Sequence, residues 1–285
     1  MAVWAANFIV VKDVLSLMPP VGFTFLRYVL AAIALVVLLR WREGSLQPPP
    51  GVWRIIALGG LGFGVYQILW TVGLQTIPAG DSALLIAATP VFTAVIAVLA
   101  GTDRLDPTRG FGVILSFVGV VLVIGAGVGI ELSGELIGFV LTLSAALCWA
   151  TYTAVGARVL WRTTPLQLTT WATIGGVIVL APIGIGQLLA PGVWGPAQQD
   201  AALEIVLAIA YSGLLAAALA NIVVFEGVRL LGPTRVTTIQ ALVPAMAVVL
   251  AYVFLGEPIR PAQVLGGAII VLGVALTRRS VGRAR

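Results

Sequence analysis

The chain has 285 residues, of which 60% are apolar and only 9% charged, with a formal net charge of +5 and a mean hydropathy of +1.10. A soluble domain carries about a quarter of its residues as charges, which argues against a water-soluble globule, a nucleic-acid-binding module or a disordered tail. The composition is that of a polytopic membrane protein, without the histidine that usually binds metals or shuttles protons near neutral pH.

A helix needs about 20 apolar residues to cross the hydrocarbon core. Cutting the chain at charged, Pro-rich and Gly-rich breaks predicts ten spans, and the continuous apolar runs lack the alternation of a β-barrel. Span one, 1–17, carries Trp4 and Asn7. It reaches Lys12 too soon to cross, so the natural N-terminus is expected to extend roughly a dozen residues further. Span two, 20–39, opens at Pro20 and places Arg27 within the membrane. This cation either meets a substrate carboxylate or snorkels and bonds neighbouring backbone.

Span three, 54–76, brings Tyr66 and Trp70 onto one face at i, i+4, with Gln67 beside them. Its Gly60 and Gly64, like Gly134 and Gly138 later, form pairs that permit close helix contact. Span four, 82–100, contains Pro90, which removes a donor and clashes with the carbonyl of Ile86. Span five is 110–129; span six, 134–156, carries Trp149, Tyr152 and the lone Cys148, a packing residue. Span seven, 165–190, leads into a longer loop at 191–200.

Span eight, 202–223, holds Asn221, with Phe225 four residues on. Glu226 near its inner end is the only carboxylate placed for proton coupling, and no clearly buried carboxylate is expected. Span nine, 236–255, includes Gln240 and Pro244, and span ten, 262–277, precedes a basic tail, 278–285. Pro90 and Pro244 are expected to break their helices near mid-membrane, either lining a central site or serving as packing kinks. The aromatics and carboxamides named in spans one, three, six, eight and nine, with Phe225, are expected to line a substrate cavity. Trp41, Trp53, Trp161 and Trp194 read instead as interface markers.

With a cytoplasmic N-terminus, every basic residue except Lys12, Arg27 and Arg260 falls at a cytoplasmic end. That is a strong positive-inside bias, so both termini are expected in the cytoplasm and the basic balance reports topology.

The chain also repeats. Residues 73–122 align without a gap on 227–276 at an offset of 154. Gly73 meets Gly227, Pro90 meets Pro244, Pro107 meets Pro261, Gly112 meets Gly266, Gly119 meets Gly273, and Asp103 meets Glu257. At an offset of 145, Trp4-Ala5 meets Trp149-Ala150 and Pro20 meets Pro165. Two five-helix units are expected, 1–129 and 134–277. An odd span count inverts the second unit, which is a transporter architecture with substrate bound between the halves.

Three stretches carry a resemblance: Pro20 with Phe25-Leu26-Arg27; Gly73-Leu74-Gln75-Thr76-Ile77-Pro78-Ala79-Gly80 running into Ala87-Ala88-Thr89-Pro90; and Leu255-Gly256-Glu257-Pro258 before Gln263-Val264-Leu265-Gly266-Gly267. Across the whole chain these resemble the EamA-type branch of the drug/metabolite transporter superfamily, and within it the sequence is most similar to YddG-type amino-acid exporters. The first unit departs from the pattern at Gly101-Thr102-Asp103, where the second has Leu255-Gly256-Glu257. The resemblance implies ten helices in two inverted repeats around a central cavity, an all-α fold in a bacterial inner membrane. It implies alternating-access export of amino acids, aromatic and other neutral ones, or of related amphipathic metabolites. A lipid-precursor or nucleotide-sugar translocator on the same fold is the alternative, and a membrane-embedded lipid-modifying enzyme a remote one. Such an enzyme needs converging acids, bases or metal ligands, and the spans offer none. No cofactor, metal or nucleic-acid partner is expected; the partners are a small solute and the bilayer, and the chain is expected as a monomer or weak homodimer.

Overall fold

Helix starts and stops in this chain follow its prolines and glycines. In a computed structural model, residues 1–99, 106–127, 134–156, 163–231, 236 and 239–279 are described. Asp103, Trp161 and the side chains of the tail 278–285 lie outside the described residues. The helices in chain order are α1 (Ala2–Val14), α2 (Pro20–Glu43), α3 (Val52–Thr76), α4 (Ala79–Leu99) and α5 (Pro107–Gly127). They continue as α6 (Gly134–Gly156), α7 (Pro165–Leu188), α8 (Ala202–Leu231), α9 (Leu242–Leu255) and α10 (Pro261–Arg279). A one-turn helix, Pro196–Asp200, lies in the loop before α8.

Pro20, Pro107, Pro165 and Pro261 each stand at the first position of a helix, where the missing N–H has no partner to lose and φ is already helical. Thr164 caps α7 by accepting the Gln167 N–H at 3.1 Å. Gly44 (φ 69°) and Gly256 (φ 66°) end α2 and α9 in the left-handed conformation that a side chain resists.

Among the described residues, seven helical stretches are long and apolar enough to span a membrane, lying in α2 to α8. The chain is thus an all-helical, multi-pass membrane protein. The expected spans at 1–17, 236–255 and 262–277 are shorter as helices: α1 ends at Val14 just past Lys12, and α9 and α10 are apolar but below that length. The outward surface is an apolar belt that includes Phe111, Ile114, Val121, Val253 and Phe254. Trp41, Trp53 and Trp194 are exposed, as interface markers would be.

Two helices are wound more loosely in part, α3 over Gly60–Val65 and α8 over Tyr211–Leu219. Adding 154 to the first stretch lands it inside the second. Helix α4 is interrupted at Ala87–Ala88, three residues ahead of Pro90, and α9 is preceded by a turn at Ala241, three ahead of Pro244. Ala87 and Ala241 are again 154 apart.

Lipid tails are as apolar as leucine, so the helices gain by close fit rather than by escape from water. Helices α5 and α10 meet on glycines: a Cβ on Gly112 would lie 2.7 Å from the Gly273 carbonyl oxygen, and one on Gly119 would lie 2.6 Å from that of Gly266. These are the residues matched by the internal repeat, now paired crosswise. Between them Ser116 donates to the Ile270 carbonyl at 3.3 Å, and those two residues are also 154 apart. Helices α3 and α7 approach as closely at Gly59, whose Cβ would sit 2.1 Å from the Ala172 carbonyl oxygen. Of the expected glycine pairs, Gly60 and Gly64 pack on Val179 and Gly138 packs on Gly73, whereas among the described residues nothing lies within 4 Å of a Cβ at Gly134.

Candidate functional site

The centre of the bundle encloses a cavity of about 450 Å³. Its walls come from α1, α2, α3, α4, α6, α8, α9 and α10, and from the turn before α9. Trp4, Asn7, Arg27, Tyr66, Gln67 and Trp70 line it from the first half of the chain, and Trp149, Asn221 and Gln240 from the second. Pro90 and Pro244 border it with Ile86, Ala87 and Ala241, so both helix interruptions face the same space. The Ile86 carbonyl there accepts the Thr89 hydroxyl at 2.6 Å.

Arg27 is the electrostatic centre. Its residue exposure is 1%, so burial without partners would be prohibitive. Nη1 donates to Ser212 Oγ and Nη2 to Gln67 Oε1, each at 2.6 Å. Ser212 passes its own hydrogen to Asn7 Oδ1 at 2.6 Å, and Gln67 donates to the Tyr28 hydroxyl at 2.8 Å. One chain of bonds therefore ties α1, α2, α3 and α8 together at mid-bundle. The rings of Phe23, Tyr28 and Trp70 lie 5.7, 5.3 and 5.6 Å from the guanidinium carbon, within cation–π range. The loosened turns make this possible: Ser212 comes from the π-helical stretch of α8, and Gln67 follows that of α3.

Aromatics continue the wall from Trp70. Tyr66 stacks parallel to Trp70 with centroids 6.3 Å apart and tilts against Trp149 at 5.4 Å. The Trp4 indole N–H donates to the Ala216 carbonyl at 3.0 Å, and Asn221 donates to the Ala217 carbonyl at 2.9 Å. Both carbonyls belong to the π-helical stretch, where regular helical pairing is disrupted.

Two expected cavity residues lie elsewhere. Tyr152 is buried behind the wall, 5.2 Å from both Phe63 and Trp149, with its ring seated on Gly62. Three residues from Trp149, it points along a different direction of α6 and fills the space that Gly62 leaves. Phe225 packs with the buried cluster around Tyr28 and Leu168 instead of bordering the cavity. Glu226 pairs with Arg229 on the surface. The expectation of no buried carboxylate is also corrected, because the Asp81 side chain is fully buried.

Asp81 belongs to a second polar group, at the end of the bundle where α1, α3, α4, α9 and α10 converge. It binds the Arg260 guanidinium and accepts from Gln263 Nε2 at 2.7 Å. The Glu257 carboxylate accepts the N–H groups of Ala79 and Gly80 at 2.8 and 3.1 Å, capping α4 from across the bundle. Lys12 Nζ donates to the carbonyls of Leu74, Gln75 and Ile77 at 2.8, 3.1 and 3.0 Å. Beneath this lid, Phe8, Val11, Leu74, Ala79, Ala83 and Ala247 form a buried plug. Toward the opposite end, Thr93 and Gln240 are partly open.

Sequence reading missed Tyr28 and Phe63 at the cavity and Ser212 as the buried partner of Arg27 and Asn7. Ser212 was the findable one, as a hydroxyl inside an otherwise apolar run.

A membrane-embedded helical bundle that closes over one buried cation and an aromatic wall has the build of a solute carrier. The comparisons give that class a family: the profile of the EamA-like transporter family matches residues 1–125 and again 136–279, and the chain belongs to it. An uncharacterised transporter of Archaeoglobus fulgidus is 30% identical, covering 97% of this chain and 94% of its own. A probable terminal-alkyne amino-acid exporter of Streptantibioticus cattleyicolor is also 30% identical, over 99% of this chain and 92% of its own. A probable amino-acid metabolite efflux pump of Salmonella typhimurium is 26% identical, over 95% and 90%. A solved crystal structure superposes with a TM-score of 0.62 at 20% identity over 96% of both chains, a likeness of fold alone. With relatives named as transporters, the chain is a transporter and not an enzyme.

Proposed function

We propose that this transporter exports amino acids, aromatic and other neutral ones, or closely related amphipathic metabolites, across a bacterial inner membrane by alternating access. The observation that carries the reading is the central cavity, in which one guanidinium faces a wall of Tyr66, Trp70 and Trp149. The cation suits a carboxylate, and the rings suit an apolar side chain. The carboxamides of Asn7, Gln67, Asn221 and Gln240 and the carbonyls at the two helix breaks suit the remaining polar atoms. Two relatives named for amino-acid export and efflux agree in kind. A nucleotide sugar would bring a diphosphate, for which the cavity wall offers, among the described residues, the single cation Arg27.

The architecture of the proposal is ten spans in two inverted five-helix units, 1–129 and 134–277, with both termini cytoplasmic. Its supports are the double family match and the crosswise contacts Gly112–Gly273 and Gly119–Gly266. Reciprocal contacts, in which each residue of a pair meets the other's counterpart in the second unit, are what a two-fold relation between units produces. In this orientation the lid of Lys12, Asp81, Glu257 and Arg260 is on the outer side, so the conformation is closed outward and accessible from the cytoplasm.

The test is efflux from proteoliposomes loaded with the twenty amino acids, a set of sugars and a set of nucleotide sugars. Outward movement of aromatic or other neutral amino acids is expected. Movement of a nucleotide sugar and no amino acid would reject the proposal.

A further inference from the structure

Among the described residues, the cavity offers a charged partner to only one of the two charges of an amino acid. Arg27 is committed through two N–H groups, to Ser212 and Gln67, and both acceptors are neutral. Its Nε has no partner, and a guanidinium has about five N–H donors in all. Among the described residues no carboxylate lines the cavity. Asp81 is held by Arg260 at the outer lid, and Glu226 is held by Arg229 at the surface. Among the described residues, the site therefore encloses one positive charge, offset by neutral dipoles and ring faces.

An incoming carboxylate supplies the missing countercharge and can be bound bidentately. An α-ammonium has no equivalent reward. Attached to the carbon next to that carboxylate, it would sit about 5 Å from the guanidinium and be repelled by it in a medium of low dielectric. What it meets instead are neutral acceptors and the ring faces of Tyr66 and Trp149.

The geometry points to a substrate class defined by the carboxylate: monocarboxylates with an aromatic or apolar tail, including the deaminated counterparts of amino acids, are accepted at Arg27, and the amino group is dispensable. Amines that lack the carboxylate are refused. This rests on the amino-acid reading of the same cavity and extends it to organic acids.

Three ligands with one ring separate the contributions: phenylalanine, phenylpropionate (carboxylate without ammonium) and phenethylamine (ammonium without carboxylate). They are compared as competitors of labelled phenylalanine in counterflow by the full chain in proteoliposomes. Their binding to the detergent-purified chain is measured in parallel by tryptophan fluorescence, since Trp4, Trp70 and Trp149 border the cavity. Phenylpropionate is expected to act at least as well as phenylalanine, and phenethylamine to be weaker by about tenfold or more. In Arg27→Gln the gap between acid and amine should close. The ranking in the unmodified protein needs no variant to fold. An amine as effective as the acid, or an acid that fails where phenylalanine succeeds, overturns the inference and leaves amino-acid export standing. Binding of the acid with neither binding nor movement of phenylalanine upholds it and removes amino-acid export. If none of the three binds, both fall.

Discussion

Opening Arg260→Gln should shift the protein toward a conformation accessible from outside. Arg260 pairs with Asp81, whose side chain is fully buried, while the arginine side chain itself is 30% exposed. Removing one partner of a fully buried pair costs about 3–5 kcal/mol. Water reaching the exposed part of Arg260 already screens the pair, and Gln263 still donates to Asp81 at 2.7 Å. About 2 kcal/mol is a fair share of that range for this geometry, and it corresponds to about a 30-fold change in the balance of closed and open states.

The assay places a cysteine at Ala83, which is buried in the plug and borders the cavity, after Cys148→Ala removes the one native thiol. A membrane-impermeant maleimide is then added to intact cells. Labelling of the parent should be slow, and Arg260→Gln should raise its rate by about an order of magnitude or more. A rate unchanged within about twofold, with equal membrane abundance, would show that the polar lid does not hold the outer side shut.

Three further outcomes are expected. Tyr66→Ala and Trp149→Ala should each lower transport about tenfold or more without lowering membrane abundance, because each removes ring surface from the cavity wall; purified-protein flux and immunoblots check both halves. Gly59→Val should abolish the monodisperse peak in detergent size-exclusion chromatography, since its Cβ would meet Ala172 backbone at 2.1 Å, and backbone cannot rotate away as a side chain can. Lys12→Met keeps length and packing but removes the donors for three carbonyls at the end of α3; a loss of about 1.5–3 kcal/mol, seen as a lower melting temperature in the same detergent, is expected for bonds to a charged group.

Membrane residence, helical class and the positions of Pro90, Pro244, Gly112, Gly119, Gly266 and Gly273 were all legible in the amino-acid order, because each follows from a local rule. A bilayer demands long apolar runs whatever the neighbours are, and proline and glycine act on the backbone where they stand. Arg27 was conspicuous for the same reason, as a charge in an apolar run. Its partners were not. Ser212 lies 185 residues away and Gln67 lies 40 away, and both reach it through loosened turns that no pattern of apolar residues announces. An inserted residue rotates the following helix face by about 100°, so helical spacing cannot say which side chains meet across the bundle. That rotation, and the packing of Tyr152 against Gly62, decided which aromatics border the cavity. Nothing in the order of residues pairs Asp81 with Arg260, 179 residues apart, until α4 and α10 are brought together. Burial and pairing of a charge depend on what the other helices place beside it, and only the assembled bundle supplies that.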